Sequence, residues 1–218
     1  MSLVYQGSAY LDSSVRRDAH GNQLIVLANP TNRGKPLPPA TQVTLAATAQ
    51  ELGPGVQAFG FPAARHQAGR VTAGPQPLRV EREGGHPVLP LPQITSALPV
   101  LLARDFGPLL SIDAPETAAD GTTMDVRVTC YNPSPKPLRA TLRLVLPPTW
   151  RSVDEKSSPA ADLISVPARG NRTFILRARS GGGERSVIKA QLDYVANSRG
   201  TARIESVPVD VFANVPPP

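Results

Sequence analysis

Proline interrupts this chain too often for long helices to form. Of 218 residues, 25 are proline, and they fall between short apolar runs instead of gathering in one tract. Each proline fixes φ and removes an N–H, which a helix interior does not tolerate but the corners between strands do. The runs between them point the same way. "MDVRVTCY" (Met124–Tyr131) sends Met124, Val126, Val128 and Cys130 to one side, with Asp125, Arg127, Thr129 and Tyr131 on the other. "RATLRLVL" (Arg139–Leu146) sets Ala140, Leu142, Leu144 and Leu146 against Arg139, Thr141 and Arg143. A period of two sustained over eight residues is the signature of a half-buried strand. The sequence therefore predicts less than about a tenth helix, against the usual third.

The second half carries seven such segments. Besides the two above they are "LLSID" (Leu109–Asp113), "DLISV" (Asp162–Val166), "RTFILRAR" (Arg172–Arg179), "VIKAQLDY" (Val187–Tyr194) and "VPVDVFA" (Val207–Ala213). Turn sequences "DGTT", "NPSPKP", "PARGN" and "SGGGE" separate them, the last read as a hairpin. That count and spacing predict an immunoglobulin-like sandwich. In the first half, strands are expected at Val4–Tyr10, Leu24–Ala28, Gln42–Thr48, Val56–Phe61, Gly69–Ala73, Leu78–Arg82, Pro87–Leu91 and Ala97–Ala103, with a hairpin turning at Gly84–Gly85. The phrases "NPTNRGKPL" and "NPSPKPL" each leave an apolar strand and enter another, with Asn29 and Asn132 starting the turns. Their flanking strands differ, so they read as one corner in each of two sandwiches. The expected architecture is all-β, two tandem β-sandwiches, the second immunoglobulin-like with about seven strands. The domains are residues 1–105 and 106–218, meeting at "ARDFGP" (Ala103–Pro108).

A net charge of +6 raises the question of nucleic acid. Residues 1–106 hold nine Lys+Arg and six Asp+Glu, and residues 107–218 hold fourteen and eleven. The surplus is thus spread evenly, without the aromatic residues that a nucleic-acid surface interleaves for stacking. A solvated charged surface is expected, and no nucleic-acid partner. No stretch approaches the roughly 18 apolar residues of a membrane span, so no membrane insertion is expected. "MSLVYQGSAYLDSS" lacks the basic start and apolar core of a signal peptide. If the chain is a fragment of a longer exported protein, it is secreted or at the cell surface.

Catalytic chemistry is not evident. Glycoside hydrolysis needs two facing carboxylates, but Glu81 with Glu83, Asp154 with Glu155, and Asp12 with Asp18 all read as surface or loop residues. His20, His66 and His86 have no metal-ligand spacing. Cys130, the single cysteine, shares a strand face with Val126 and Val128 and reads as a small buried hydrophobe. Ser134 and Ser157 lack a nucleophile-elbow context. Asn171-Arg172-Thr173 matches the N-glycosylation triplet. No catalytic residue, metal or cofactor is expected. Trp150, the only tryptophan, follows "LPP" at a corner. It is either a plug sealing one end of the core or an exposed platform for a pyranose ring, with Tyr131 as neighbour; Trp150 and Tyr131 are the candidate carbohydrate-binding residues.

Two stretches carry a family resemblance. "DGTTMDVRVTCYNPSPKPLRATLRLVLPPTW" (Asp120–Trp150), followed by "VPARGNRTFILRAR" (Val166–Arg179), resembles the immunoglobulin-like accessory modules of bacterial glycosidases, the type associated with α-galactosidases. "GNQLIVLANPTN", "ATQVTLAAT" and "HPVLPLPQITSALPVLL" (His86–Leu102) resemble the small β-sandwich that closes many glycoside hydrolases behind their catalytic barrel. The resemblance implies a non-catalytic accessory part of a carbohydrate-active enzyme, partnered by a neighbouring catalytic domain or another protein, and by polysaccharide. A stand-alone adhesion or interaction module is the alternative, and a carbohydrate-binding module using Trp150 a further one.

Overall fold

The computed structural model describes residues 2–5, 12–28, 31–32, 35–36, 43–46, 54–83, 86–91, 94, 97–153, 162–181, 185–196 and 200–213. Among them every regular element is a strand. The chain divides into two units. One comprises Met1–Pro62 with Pro75–Phe106, the other Ala63–Gly74 with Gly107–Pro218.

The first unit begins with β1 (Ser2–Tyr5), β2 (Asp12–Arg17), β3 (Gln23–Ala28), the short pair β4 (Thr31–Asn32) and β5 (Lys35–Pro36), β6 (Val43–Ala46) and β7 (Gln57–Gly60). The hairpin β8 (Arg65–Gln67) and β9 (Arg70–Ala73) intervenes, before β10 (Gln76–Leu78), β11 (Glu81–Glu83), β12 (His86–Pro90) and β13 (Ala97–Ala103). A four-stranded sheet runs β1-β6-β12-β11 and a five-stranded one β10-β7-β13-β3-β2. Ile25, Leu27, Leu98, Val100 and Leu102 of the larger sheet pack with Leu89, Leu91 and Ile94. The two sheets thus share one core, as in a sandwich.

Two expectations change in this unit. Asp12, read as a loop residue, opens strand β2. Residues 13–17 are all exposed, so β2 has no apolar face to reveal it. Leu78–Arg82, read as one strand, splits between β10, which pairs with β7, and β11, which pairs with β12 in the other sheet. Val80 packs on the same core as Leu78, so the apolar pattern runs on through the crossing. The Gly84–Gly85 turn lies outside the described residues, but Glu83 faces His86 across β11 and β12. Asn29 and the tip of its phrase also lie outside them.

The second unit holds β14 (Leu109–Pro115), β15 (Thr117–Ala118), β16 (Thr123–Asn132), β17 (Leu138–Val145), β18 (Arg151–Ser152), β19 (Asp162–Val166), β20 (Gly170–Arg179), β21 (Arg185–Val195), β22 (Thr201–Glu205) and β23 (Val209–Ala213). One sheet runs β18-β20-β16-β14-β9-β8. The other runs β15-β23-β21-β17-β19, with β22 also on β21. The alternating residues of β16, β17, β20 and β21 meet in one core with Ile112, Ile164, Val209 and Val211. The last strand of the sandwich is broken into β22 and β23. Ser206 carries the ladder across the break: its N–H donates to the Ala190 carbonyl at 2.8 Å, and its Oγ accepts from the Ala190 N–H at 2.9 Å. "SGGGE" is not a hairpin, because β20 and β21 lie in different sheets.

The hairpin β8–β9 is the main departure from a linear division at residue 105. It sits in the first half of the sequence yet extends the second unit's sheet, β9 pairing antiparallel with β14. Val71 and Ala73 enter that unit's core. The hairpin also supplies hydrogen-bond partners to what would be a bare edge of β14. Ala68 and Gly69 form its turn with φ of 51° and 71°, the two positive values of a tight twisted hairpin turn. The Gly69 carbonyl accepts from the Glu116 N–H at 2.9 Å, and His66 Nδ1 lies 2.7 Å from Glu116 Oε1.

Candidate functional site

Burial decides several of the candidate residues. Trp150 is 6% exposed and belongs to the second unit's core. Its indole Nε1 is buried without a hydrogen-bond partner among the described residues. The ring is a plug, with no open face on which a pyranose could stack. Tyr131 is not beside it. Trp150 precedes β18, whose Arg151 and Ser152 face Arg179 and Ala178; those in turn face Thr123 and Met124, the start of β16. Tyr131 lies eight positions along that strand, about 26 Å away at some 3.3 Å per residue. Cys130 is buried, and burial pushes its thiol up to about 12, which suits packing and not nucleophilic attack.

The carboxylate and histidine candidates also separate. Asp18 accepts hydrogen bonds from the backbone N–H groups of His20 and Asn22 and from Asn22 Nδ2. Chiefly the Asn22 side chain, with these N–H groups, holds its carboxyl below the ordinary range. It is a turn-builder. Asn22 is buried, and its Oδ1 accepts the Arg104 N–H at 2.8 Å while Nδ2 donates to the Asp105 carbonyl at 3.0 Å. Glu81 is exposed on β11, and Asp154 and Glu155 lie outside the described residues, as does Ser157. His86 falls in β12. Asn171 is exposed on β20, opposite Tyr131.

Asn132 does at its corner what the Asn-Pro phrase predicts, and more. It is 1% exposed. Its Nδ2 donates to the carbonyls of Lys136 at 2.8 Å and Pro167 at 3.0 Å. One amide thus ties the β16–β17 corner to the β19–β20 turn, where the Arg169 N–H also donates to the Ser134 carbonyl. These are structural clasps.

What remains is a surface. On the outer face of the β18-β20-β16-β14-β9-β8 sheet, register places Arg65, Arg70, Arg127, Arg151, Arg177 and Arg179 on the same side as Asp113 and Asp125. Their strand neighbours Val71, Ile112, Val126 and Ala178 point inward and are buried, which fixes the assignment because successive side chains alternate faces. Six arginines against two aspartates leave a surplus of four on this face, where the whole chain has a surplus of six. Both acids are engaged: Asp113 by Arg70 at 2.7 Å and Arg127 at 3.7 Å, Asp125 by Arg177 at 3.4 Å.

Within the face, Arg151 stands directly opposite Arg179. Like charges in directly opposed positions destabilise a sheet, and neither arginine enters an ion pair among the described residues. Arg179 is nevertheless firmly placed. Its Nε donates to the Gly121 carbonyl at 3.0 Å. The next residue, Ser180, is buried and clasped to the 119–122 turn through its N–H to the Thr122 carbonyl, its carbonyl to the Gly121 N–H and its hydroxyl to the Ala119 carbonyl. Hydroxyls share the face with the guanidinium groups: Thr123 stands beside Arg179, and Thr129, bonded to Thr173 at 2.9 Å, lies beyond Arg127, which itself stands opposite the exposed Ile175. The outward arginines are legible in "MDVRVTCY" and "RTFILRAR". Their pairing with Arg151 was not, since it depends on strand order.

No protein-family model and no curated protein matches the chain. Several solved structures show partial likeness. The native conformation of Escherichia coli α-2-macroglobulin aligns over 94% of this chain and 17% of its own, at 12% identity and a TM-score of 0.39. A transglutaminase of red sea bream aligns over 94% and 31%, at 10% identity and a TM-score of 0.33. The Yersinia pseudotuberculosis adhesin InvE aligns over 96% and 62%, at 11% identity and a TM-score of 0.29. This chain therefore spans less than a fifth of the α-2-macroglobulin it is similar to, and no family follows from these likenesses.

Proposed function

We propose that this chain is a non-catalytic accessory segment of a larger carbohydrate-active enzyme, whose work is to pack against and carry a neighbouring domain. The observation that supports it most is the hairpin β8–β9. A string of independent beads joins each domain to the next by one linker. Here the chain passes between the units at Pro62–Ala63, Gly74–Pro75 and Phe106–Gly107, and the second sandwich is completed by strands from the first half. Residues 107–218 alone lack two strands of the second unit's sheet and two of its core residues, Val71 and Ala73. That economy suits a part that works as one piece. The reading frame upstream of the Met1 codon tests it. A frame continuous with a catalytic domain supports the proposal; a stop codon close upstream, with none of the neighbouring chain encoded downstream, removes it.

A stand-alone interaction module is favoured by one feature, the edge strand β19. Among the described residues it pairs on one side only, with β17, and its Leu163 is 82% exposed.

A further inference from the structure

The Arg151–Arg179 juxtaposition and the charge surplus around it meet no counter-ion among the described residues. Two guanidinium groups on directly opposed positions repel each other, and they stand at the end of a face where both aspartates are already taken by Arg70, Arg127 and Arg177. Asp120, exposed in the adjoining turn, enters no ion pair among the described residues. The ends of both strands are held by the Ser180 clasp and the 147–150 turn, so the two cations cannot simply swing apart with their backbones.

We propose that the outer face of this sheet binds an acidic polysaccharide, through carboxylates of successive uronate units seated on Arg151, Arg179, Arg177 and Arg127. A guanidinium presents paired donors that match a carboxylate bidentately. On one sheet face, side chains two positions apart along a strand lie about 7 Å apart, and those on neighbouring strands about 5 Å apart. The grid suits a linear polymer with one charge per unit. The hydroxyls of Thr123, beside Arg179, and of Thr129, next along the face from Arg127, match the hydroxyls of a sugar chain. Nucleic acid also carries regular anions, but its single strands are gripped by stacked aromatic side chains. Tyr131 is the one aromatic residue that register places on this face, at its far end. The inference goes beyond the accessory role and does not depend on it, because it rests on the charge pattern of one sheet.

Affinity electrophoresis of the full chain in gels containing polygalacturonate, with pullulan as the neutral polymer, tests the proposal. Retardation by polygalacturonate alone is expected. It should weaken at least tenfold in the R151Q/R179Q double variant and fall with rising salt. Arg139→Gln is the control: it removes the same charge from an exposed position on the other sheet and should leave retardation unchanged. Thermal melts of each variant confirm folding, and Arg179→Lys should retain partial binding. Absence of retardation by polygalacturonate overturns the proposal. So does an equal loss in R139Q, or tighter binding to an oligodeoxythymidine or to polyglutamate than to the uronate polymer.

Discussion

Glycines at close approaches show how single atoms set this fold. A Cβ at Gly181 would overlap the Thr149 carbonyl oxygen, on the backbone turn that leads into Trp150. The carbonyl cannot retreat without moving the tryptophan. Gly181→Ala should therefore cost about 2–4 kcal/mol by forced backbone displacement, read as a lowered denaturant midpoint. Gly69 offers the contrast. Its φ is +71° but nothing lies within 4 Å of the place a Cβ would take, so Gly69→Ala should cost only about 1 kcal/mol, for the backbone conformation alone. Cys130 gives a chemical readout at the same scale. Its burial and raised pKa predict that a thiol reagent at about pH 8, near the ordinary thiol pKa, leaves the native protein unlabelled, so that labelling follows unfolding; immediate stoichiometric reaction would contradict this packing. The residue scale was also where sequence reading succeeded best: inward residues such as Val126 and Val128 of β16 and Ala140 and Leu142 of β17 could be named because each lies between polar neighbours.

Elements are held by their ends and edges. Asn132 spans two turns, and Asn132→Ala would strand the Pro167 and Lys136 carbonyls, costing about 2 kcal/mol. The measurement is urea unfolding with the slope unchanged. On the outer face of the β21 sheet, Arg203 pairs with Asp193 at 2.7 Å and Arg185 with Asp210 at 2.8 Å. Hydrogen bonds from these arginines hold both carboxyls below the ordinary aspartate value of 3.8. A lowered native pKa stabilises the fold above the unfolded value, and that contribution disappears as pH falls through the native one. Stability should therefore be flat above about pH 5 and decline below about pH 4, with Asp193→Asn and Asp210→Asn each shallowing the acid limb. At this scale the sequence was only partly legible. Strands with one buried face showed their period. Strands β2 and β8, whose described side chains are exposed, did not, because nothing apolar marks an edge strand that water covers on both sides.

For the whole molecule, the hairpin governs what can be cut from what. A fragment of residues 107–218 lacks Val71 and Ala73 from its core and leaves β14 unpaired along one side. It should be poorly soluble and lack a cooperative melt, while a fragment that carries residues 63–74 joined to 107–218 by a flexible linker should regain one. A cooperative melt for 107–218 alone would remove the structural role given to the hairpin. Sequence reading missed this arrangement for a physical reason. The pattern of "GRVTA" states that a strand has one buried face, but not which core buries it; that is settled by long-range pairing, whose register no local window contains.

The same hairpin sets an order of events during synthesis. Ala73 pairs with Ile112, which leaves the ribosome 39 residues later. At about 5–20 residues per second, β9 waits roughly 2–8 s for its partner. Through that interval Val71 and Ala73 have no core to enter, and the hairpin has only its own two strands to pair with each other. The short, arginine-bearing sequence "RHQAGR" gives a waiting strand little reason to stick to anything else.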